Sequence, residues 1–576
     1  MTESKFESET NDIDYETKFE MPYENDKYTK YNPLHKELGI TLNTNVKYEK
    51  QLTYNKYEII DKNGEKKECF KKFITLVDYV KFLIGKYKNE NIQVLPGQID
   101  LTNLTQEESK QIELKENDSE LKTSFFQEYI NSYHNYAYVD AFYYYLTSKI
   151  LEKGFVHGLE FYDSYICLSK ECEIDIVDDF EYLCDSNFFS EKLNNQFYFK
   201  DENIGNFFNK KEPIKIDQST ENIAFEVEEL DDINEVDQNI EIELEILDII
   251  DNNMSKDLKI DSDNINNIHD VDADDFDKDD DSDIVGDTDS DNESDDSNND
   301  SDNSNDYETD SETDTQSDDS TEPEKLILII KNIPTQVIAI EKCEGTFDSL
   351  LENNELTMEE LESALFQIIT MLYVYQNIFD FTHNDLHTNN IMFIHTKEEF
   401  LYYKIKDVYY KIPTFGKIYK IIDFGRSIYK LNNKLVCSDS FSQNGTAHTQ
   451  YNFEPFYNKN KQIVLPNKSF DLCRLACSMI DFIIDDIKQI QKFREVPVYD
   501  LIISWLYDDN GINVLYKNNG EERYPDFKLY KMIARIVHNH TPDNQFNHSC
   551  FNKYKVTSSP NKMMNIDELI KTPVHL

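Results

Sequence analysis

At 576 residues the chain has room for two to four ordinary domains, and an apolar share of 39% with 13% aromatics can build a sizeable core. Its formal charge of −55 is concentrated: residues 217–324 hold 43 acidic side chains against 3 lysines, and the remainder is only mildly acidic. That balance excludes nucleic-acid binding over a broad surface, which needs clustered lysine and arginine. The nine cysteines form no C-x-x-C pair. Cys473 and Cys477 stand four apart on an expected helix without a second Cys or His pair, so they read as small buried apolar residues. Thiols scattered in this way fit a reducing compartment. The N-terminal MTESKFESETNDIDYE is acidic and polar, unlike a signal peptide, and no apolar run reaches the roughly 18 residues of a membrane helix. A soluble intracellular protein is expected.

Residues 1–44 are polar and read as an irregular arm. From 45 to 90, β-branched and alternating runs flank Asn63-Gly64, a pair that supplies the positive φ of a tight hairpin, so YEIID and ECFKKFI are predicted to pair. Val139, Phe142, Leu146 and Ile150 recur at helical spacing within 136–152, and FVHGLEFYDSYICL (155–168) returns to a strand-like pattern. The acidic insert 217–324 follows. Its 261–320 stretch is almost entirely Asp, Ser, Asn and Thr, too poor in apolar surface to offset chain entropy, so disorder is expected over at least 255–322. EIELEILDII (241–250) alternates acids with aliphatics and fits either a strand or a short helix. The insert reads as a solvating spacer, or as a partner-binding or phosphorylatable segment in which Ser and Thr lie among acids.

Order resumes at 325 with apolar strands in KLILIIKNI and TQVIAIEKC. Thr357-Met-Glu-Glu360 fits a capping box, and Leu361, Leu365, Ile368, Leu372 and Tyr375 give the buried stripe of the helix behind it. YYKIKDVYYKIPTFGKIYK is predicted to form an extra hairpin, and a further apolar helix is expected over 470–486. Strands with one helix (45–216 and 325–350), then a mostly helical part (351–576), make an α+β arrangement in two lobes.

Behind the capped helix stands FTHNDLHTNNIMF (381–393), and after a gap IIDFGRSI (421–428). Phosphoryl transfer from ATP asks a protein to orient a hydroxyl, to hold magnesium against the phosphates and to neutralise spreading charge. Asp385 offers a carboxylate for the hydroxyl's proton. Asn390 offers an amide oxygen and Asp423 a carboxylate, both hard ligands suited to Mg2+. HxDLxxxN followed by IIDFG resembles the catalytic and magnesium-binding loops of eukaryotic-like protein kinases. The resemblance implies a two-lobed kinase-like fold, with Asp385 as the catalytic aspartate, His383 supporting its loop, Asn390 and Asp423 as metal ligands, and Phe424 and Gly425 completing the second motif. VIAIEKCEG (337–345) resembles the strand and hinge that hold adenine, which implies the carbonyl of Glu341 and the amide of Cys343 as its partners. SFDLCRLACSMI (469–480) resembles the buried helix after the activation segment, with Asp471 anchoring the catalytic loop, and NFEP (452–455) stands where that segment would end.

The departures from the family are specific. Asn384 replaces the usual arginine and so removes the cation that pairs with a phosphorylated activation loop. His387 makes a D-L-H sequence similar to that of haspin-like, aminoglycoside and choline kinases. No G-x-G-x-x-G precedes the first strands, so the phosphate-covering loop is either absent or replaced by the Asn63-Gly64 turn. ECFKKFI offers Lys71 and Lys72 as the lysine for the phosphates, and Lys72 fits the family pattern better. Its partner is not evident: Asp140 is the nearest candidate and is expected to face solvent. The Asn-, Ile-, Lys- and Asp-rich style resembles predicted kinases of large amoeba-infecting DNA viruses, which implies the host cytoplasm or the virion as location. The leading expectation is a Ser/Thr protein kinase using ATP and Mg2+ on a protein substrate. The alternatives are a small-molecule kinase, or a pseudokinase scaffold whose acidic insert recruits a basic protein. Neither nucleic acid nor membrane is an expected partner.

Overall fold

The computed structural model describes residues 27–42, 46–98, 125–177, 179–201, 325–484, 487–517, 519–557 and 562–574. They belong to one compact unit assembled from the chain before 211 and after 322. A second unit, 212–321, lies outside the described residues, and the expectations for 241–250 and 255–322 fall there.

Strand β1 (Tyr28–Thr29) and helix α1 (Pro33–Leu38) come first. They correct the expectation of an irregular arm over its later part. The signal was local: Asn32 caps the N–H groups of Leu34 and His35, Pro33 opens the helix, and Gly39 closes it with φ 68°. Next come β2 (Lys47–Gln51), β3 (Lys56–Ile60) and β4 (Lys66–Thr75), an antiparallel run. The β3–β4 turn passes through Asn63-Gly64, with Gly64 at φ 80° and the Asp61 carboxylate accepting from the N–H groups of Asn63 and Glu65. Helix α2 (Tyr136–Leu151) buries Val139, Phe142, Leu146 and Ile150. After it, β5 (Phe161–Ser169) takes the later part of the strand-like run.

Strands β6 (Cys172–Asp175), β7 (Phe197–Phe199), β8 (Ile327–Ile330) and β9 (Ile333–Glu341) complete the first part. The two apolar runs after 325 enter different sheets. β9 joins a six-stranded antiparallel sheet in the order β1-β5-β9-β4-β3-β2, and β8 lies between β6 and β7 in a small one. Pleating divides β4: Phe70, Lys72 and Ile74 face the side of α2, whereas Cys69, Lys71 and Phe73 face away.

Beyond β9 lie β10 (Gly345–Thr346), α3 (Phe347–Glu352) and α4 (Met358–Phe379). Helix α4 begins with the capping box of Thr357 and Glu360 and buries its Leu361–Tyr375 stripe. Strands β11 (Ile391–His395), β12 (Phe400–Ile405), β13 (Val408–Pro413) and β14 (Lys417–Ile421) follow. β12 and β13 form the extra hairpin. Its turn places Lys406 and Asp407 at φ 51° and 61°, and the Asp567 carboxylate steadies it by accepting from both backbone N–H groups. Strands β15 (Ile428–Leu431) and β16 (Lys434–Cys437) pair with each other. The remaining helices that matter here are α5 (Phe470–Met479), α6 (Pro497–Ser504) and α7 (Phe527–Ile536). α5 ends at Met479 in a 3-10 turn over Ile480–Phe482, short of the expected 486. Among the described residues no helix is long and apolar enough to cross a membrane.

Candidate functional site

The loop after α4 is held by its backbone. The N–H groups of His383 and Asn384 donate to the two oxygens of Asp471 on α5 at 2.9 and 3.0 Å. Burial pushes the Asp471 carboxyl up to about 7, against the pull of those two donors. His383 donates through Nε2 to the Ile422 carbonyl at 2.9 Å and accepts the Asp385 N–H on Nδ1 at 3.3 Å. Acceptance on Nδ1 requires a neutral ring, and burial lowers its pKa accordingly. Asn384 sits at φ 67°, fully buried. Its Oδ1 accepts from the Tyr451 hydroxyl at 2.6 Å and its Nδ2 donates to the Arg426 carbonyl at 2.9 Å. Position 384 is therefore a neutral tether to the following segment.

The second loop is clamped to the first through one residue, Ile422. Ile422 N donates to the Asn390 carbonyl at 3.0 Å while the Ile422 carbonyl takes the His383 ring, so the placement of Asp423 follows that of the first loop. Asn390 Nδ2 donates to the Asp385 carbonyl at 2.9 Å, leaving the amide oxygen for other duty. Asp423 adopts φ 64° and gives its N–H to the Tyr144 hydroxyl at 2.9 Å.

Lys72 joins these loops to the sheet. Its Nζ lies 2.9 Å from Asp140 Oδ2 and 3.0 Å from Asp423 Oδ1. Asp140 is fully buried, and its other oxygen accepts the Phe424 N–H at 2.6 Å. This corrects the expectation that Asp140 faces solvent. Residues 137–144 of α2 are all buried, so the helix has no wet face there to receive a charge. Burial penalises each of the three ions. Asp140 and Asp423 nonetheless hold the Lys72 ammonium well above its usual range, and Lys72 holds Asp423 below its own, whereas burial prevails at Asp140 and raises it.

Lys71 points the other way, buried beneath the rings of Tyr48 and Tyr57 at 3.8 and 4.1 Å and within 3.3 Å of the Tyr165 hydroxyl. Burial brings its ammonium down to about 8. The turn beside the two lysines is 52–55, between β2 and β3, where the Asn55 carbonyl accepts the Lys71 N–H at 2.7 Å. It contains no glycine. Asn63-Gly64 lies at the far end of β4, which corrects its reading as the replacement for a phosphate-covering loop.

Glu341 ends β9 beside Cys69 of β4, three register positions from Lys72. Its carboxylate meets Lys420 Nζ at 3.1 Å, and the same buried ammonium donates to the carbonyls of Val156 and Gly158. Cys343 is half-buried in the link to β10, and burial pushes its thiol up to about 12. On the far side of Asp385 a cleft of about 520 Å³ is lined by His387, Arg426, Arg474, Cys477 and Tyr530, among others. The Tyr530 hydroxyl donates to Asp385 Oδ1 at 2.8 Å, and Arg426 Nη1 lies 3.4 Å from Oδ2.

The structure thus forms two groups joined at Ile422. One comprises Lys72, Asp140, Asp423 and Phe424, with Gly425 next in the chain. The other comprises His383, Asp385, Asn390 and Asp471, with Arg426 and Tyr530. Sequence reasoning passed over Lys420, Arg426 and Tyr530 as members of the site. Among the described residues no cluster of three or more His, Cys, Asp or Glu is placed to hold a metal ion.

No protein-family model matches the chain. Over 180 residues it is 31% identical to an Acanthamoeba polyphaga mimivirus protein named "Putative serine/threonine-protein kinase". The match takes in 27% of this chain and 43% of that protein, so the chain spans less than half the length of this relative. Over that stretch the chain has a kinase-like relationship.

Proposed function

We propose that the chain is a phosphotransferase using ATP and Mg2+, and within that class a protein kinase acting on Ser or Thr hydroxyls. The observation that carries this reading is the meeting of Lys72 with Asp140 and Asp423, on loops clamped to Asp385 through Ile422. In this reading the six-stranded sheet with α2 is the smaller lobe, and the part from 351 onwards the larger.

Lys72 steadies the α and β phosphates, and Asp140 fixes its direction from a dry position. The backbone of Glu341 and Cys343 reads adenine, while Lys420 holds the Glu341 side chain so that the link after β9 keeps its course. Asp385 takes the hydrogen bond and then the proton of the acceptor hydroxyl, and His383 and Asp471 keep its loop in shape. Asn390 and Asp423 would hold Mg2+. A carboxylate and an amide oxygen are hard donors of the kind that ion takes. When bound it supplies charge neutralisation at the transferring group.

The glycine-free turn at 52–55 favours a second reading, a pseudokinase scaffold. Two measurements separate the readings. Mg-ATP raises the melting temperature if a nucleotide site exists. Radiolabelled transfer to a mixed protein substrate then distinguishes enzyme from scaffold. Asp385→Ala is expected to reduce transfer by about 100-fold or more, the usual worth of a positioned base, while nucleotide-induced stabilisation persists. Asp423→Ala is expected to weaken that stabilisation in magnesium. Equal transfer by Asp385→Ala and wild type removes Asp385 from the mechanism.

A further inference from the structure

Both oxygens of Asp385 are engaged by the chain's own groups. The Tyr530 hydroxyl donates to Oδ1 at 2.8 Å, and Arg426 Nη1 stands 3.4 Å from Oδ2. Tyr530 arrives on α7, 145 positions further along the chain, and its ring is held in place. It stacks on Phe527 at 5.4 Å and 18°, and lies 6.2 Å from Phe470. The guanidinium groups of Arg474 and Arg426 stand 5.0 and 5.8 Å from its centroid. Burial keeps the phenol protonated, so it remains a donor.

A hydroxyl donating to the carboxylate that must receive the acceptor's proton has both the chemistry and the position of an acceptor. Resting on the phosphotransferase reading, we propose that Tyr530 is a resident stand-in for the acceptor hydroxyl, a gate that an incoming Ser or Thr of a polypeptide must displace from Asp385. No covalent bond changes in the displacement. The phenol keeps its proton, and the vacated Oδ1 takes the hydrogen bond of the entering hydroxyl. A polypeptide brings contacts of its own to drive the exchange, whereas a single water molecule does not. The gate therefore suppresses transfer to water and sets a threshold for weakly bound alcohols.

The test compares the full-length wild type with Tyr530→Phe, which removes the hydroxyl and keeps the ring. Phosphate release from radiolabelled Mg-ATP into water, and transfer to dephosphorylated casein below saturation, are each expected to rise about tenfold, the equilibrium held by one hydrogen bond to a charged group. The melting shift caused by Mg-ATP should stay as in wild type. Unchanged rates overturn the gate. Lower rates overturn it too, because they would make the phenol a positioning residue, and so does label found on Tyr530 itself. A second measurement needs no activity: tetranitromethane should nitrate Tyr530 several-fold faster in Asp385→Ala than in wild type, as read by peptide mass spectrometry. Equal nitration overturns the contact. If Mg-ATP stabilises neither protein, the phosphotransferase reading fails and the gate falls with it, a result distinct from unchanged rates in a nucleotide-binding chain.

Discussion

Asp140 shows how one buried carboxylate organises a site. Its carboxylate reaches Lys72 at 2.9 Å from a turn of α2 that is buried on every side. The same carboxylate receives the Phe424 N–H, so it orders the lysine and the second loop together. Asp140→Asn keeps the acceptor for Phe424 and removes the charge. The expected loss is about 1–3 kcal/mol of unfolding free energy, the lower end favoured because Lys72 is 24% exposed and retains Asp423. Nucleotide-induced stabilisation should fall as well, and a variant with the melting temperature and Mg-ATP response of wild type would remove Asp140 from this role. At this scale the sequence was legible where chemistry is contiguous, as in 381–393 and 421–428. It was fainter where partners come from afar: Asp140, 68 positions from Lys72, stood out only as the nearest candidate and with the wrong exposure, and nothing around Tyr530 points to Asp385.

Among the elements, local rules worked where they were self-contained. The capping box of α4 is one case: Thr357→Ala is expected to cost about 1 kcal/mol in denaturant unfolding and to leave nucleotide binding alone. The β12–β13 hairpin is another, although its Lys406-Asp407 turn has no glycine and leans on Asp567, a support hidden from local reading. His157 ties the residues before β5 to two later strands. Its Nδ1 donates to the Tyr419 carbonyl at 3.0 Å, which leaves Nε2 to accept from the Tyr403 hydroxyl at 2.8 Å. Burial holds this ring down to about 3, against 6.5 ordinarily. Between those values the unfolded chain takes up a proton that the folded chain refuses, so this contribution to stability is lost as pH falls below 6.5. His157→Gln lacks the effect. The gap in unfolding free energy between wild type and variant should narrow by about 1.4 kcal/mol per pH unit on acidification, and a constant gap from neutral to acid pH would contradict the assignment.

For the whole molecule, the point where the acidic insert leaves and returns is informative. Phe199 of β7 lies opposite Leu328 of β8, and Lys200 N donates to the Ile327 carbonyl at 2.9 Å. The body therefore closes on itself at the junction. Replacing 202–324 by a short Asn-Gly turn is expected to preserve the melting transition and the response to Mg-ATP, with a gain of up to about 3 kcal/mol from the shorter loop. Aggregated or nucleotide-blind protein would contradict this. The α+β class was legible because strand-like and helical periodicities both recur along the chain. The assignment of β8 and β9 to separate sheets was not, since two adjacent apolar runs carry no mark of which neighbours they will find.

The lysine beneath the tyrosines has a consequence for strand alignment. Adjacent residues of a pleated strand have opposite destinations, so β4 carries two ammonium groups that cannot trade places. Slipping by one residue against β3 and β9 would drive Lys72 under three phenols and turn Lys71 towards α2. Lys71 thereby acts as a key cut for a single notch, and the aim of Lys72 at Asp140 and Asp423 is fixed from the reverse of the sheet.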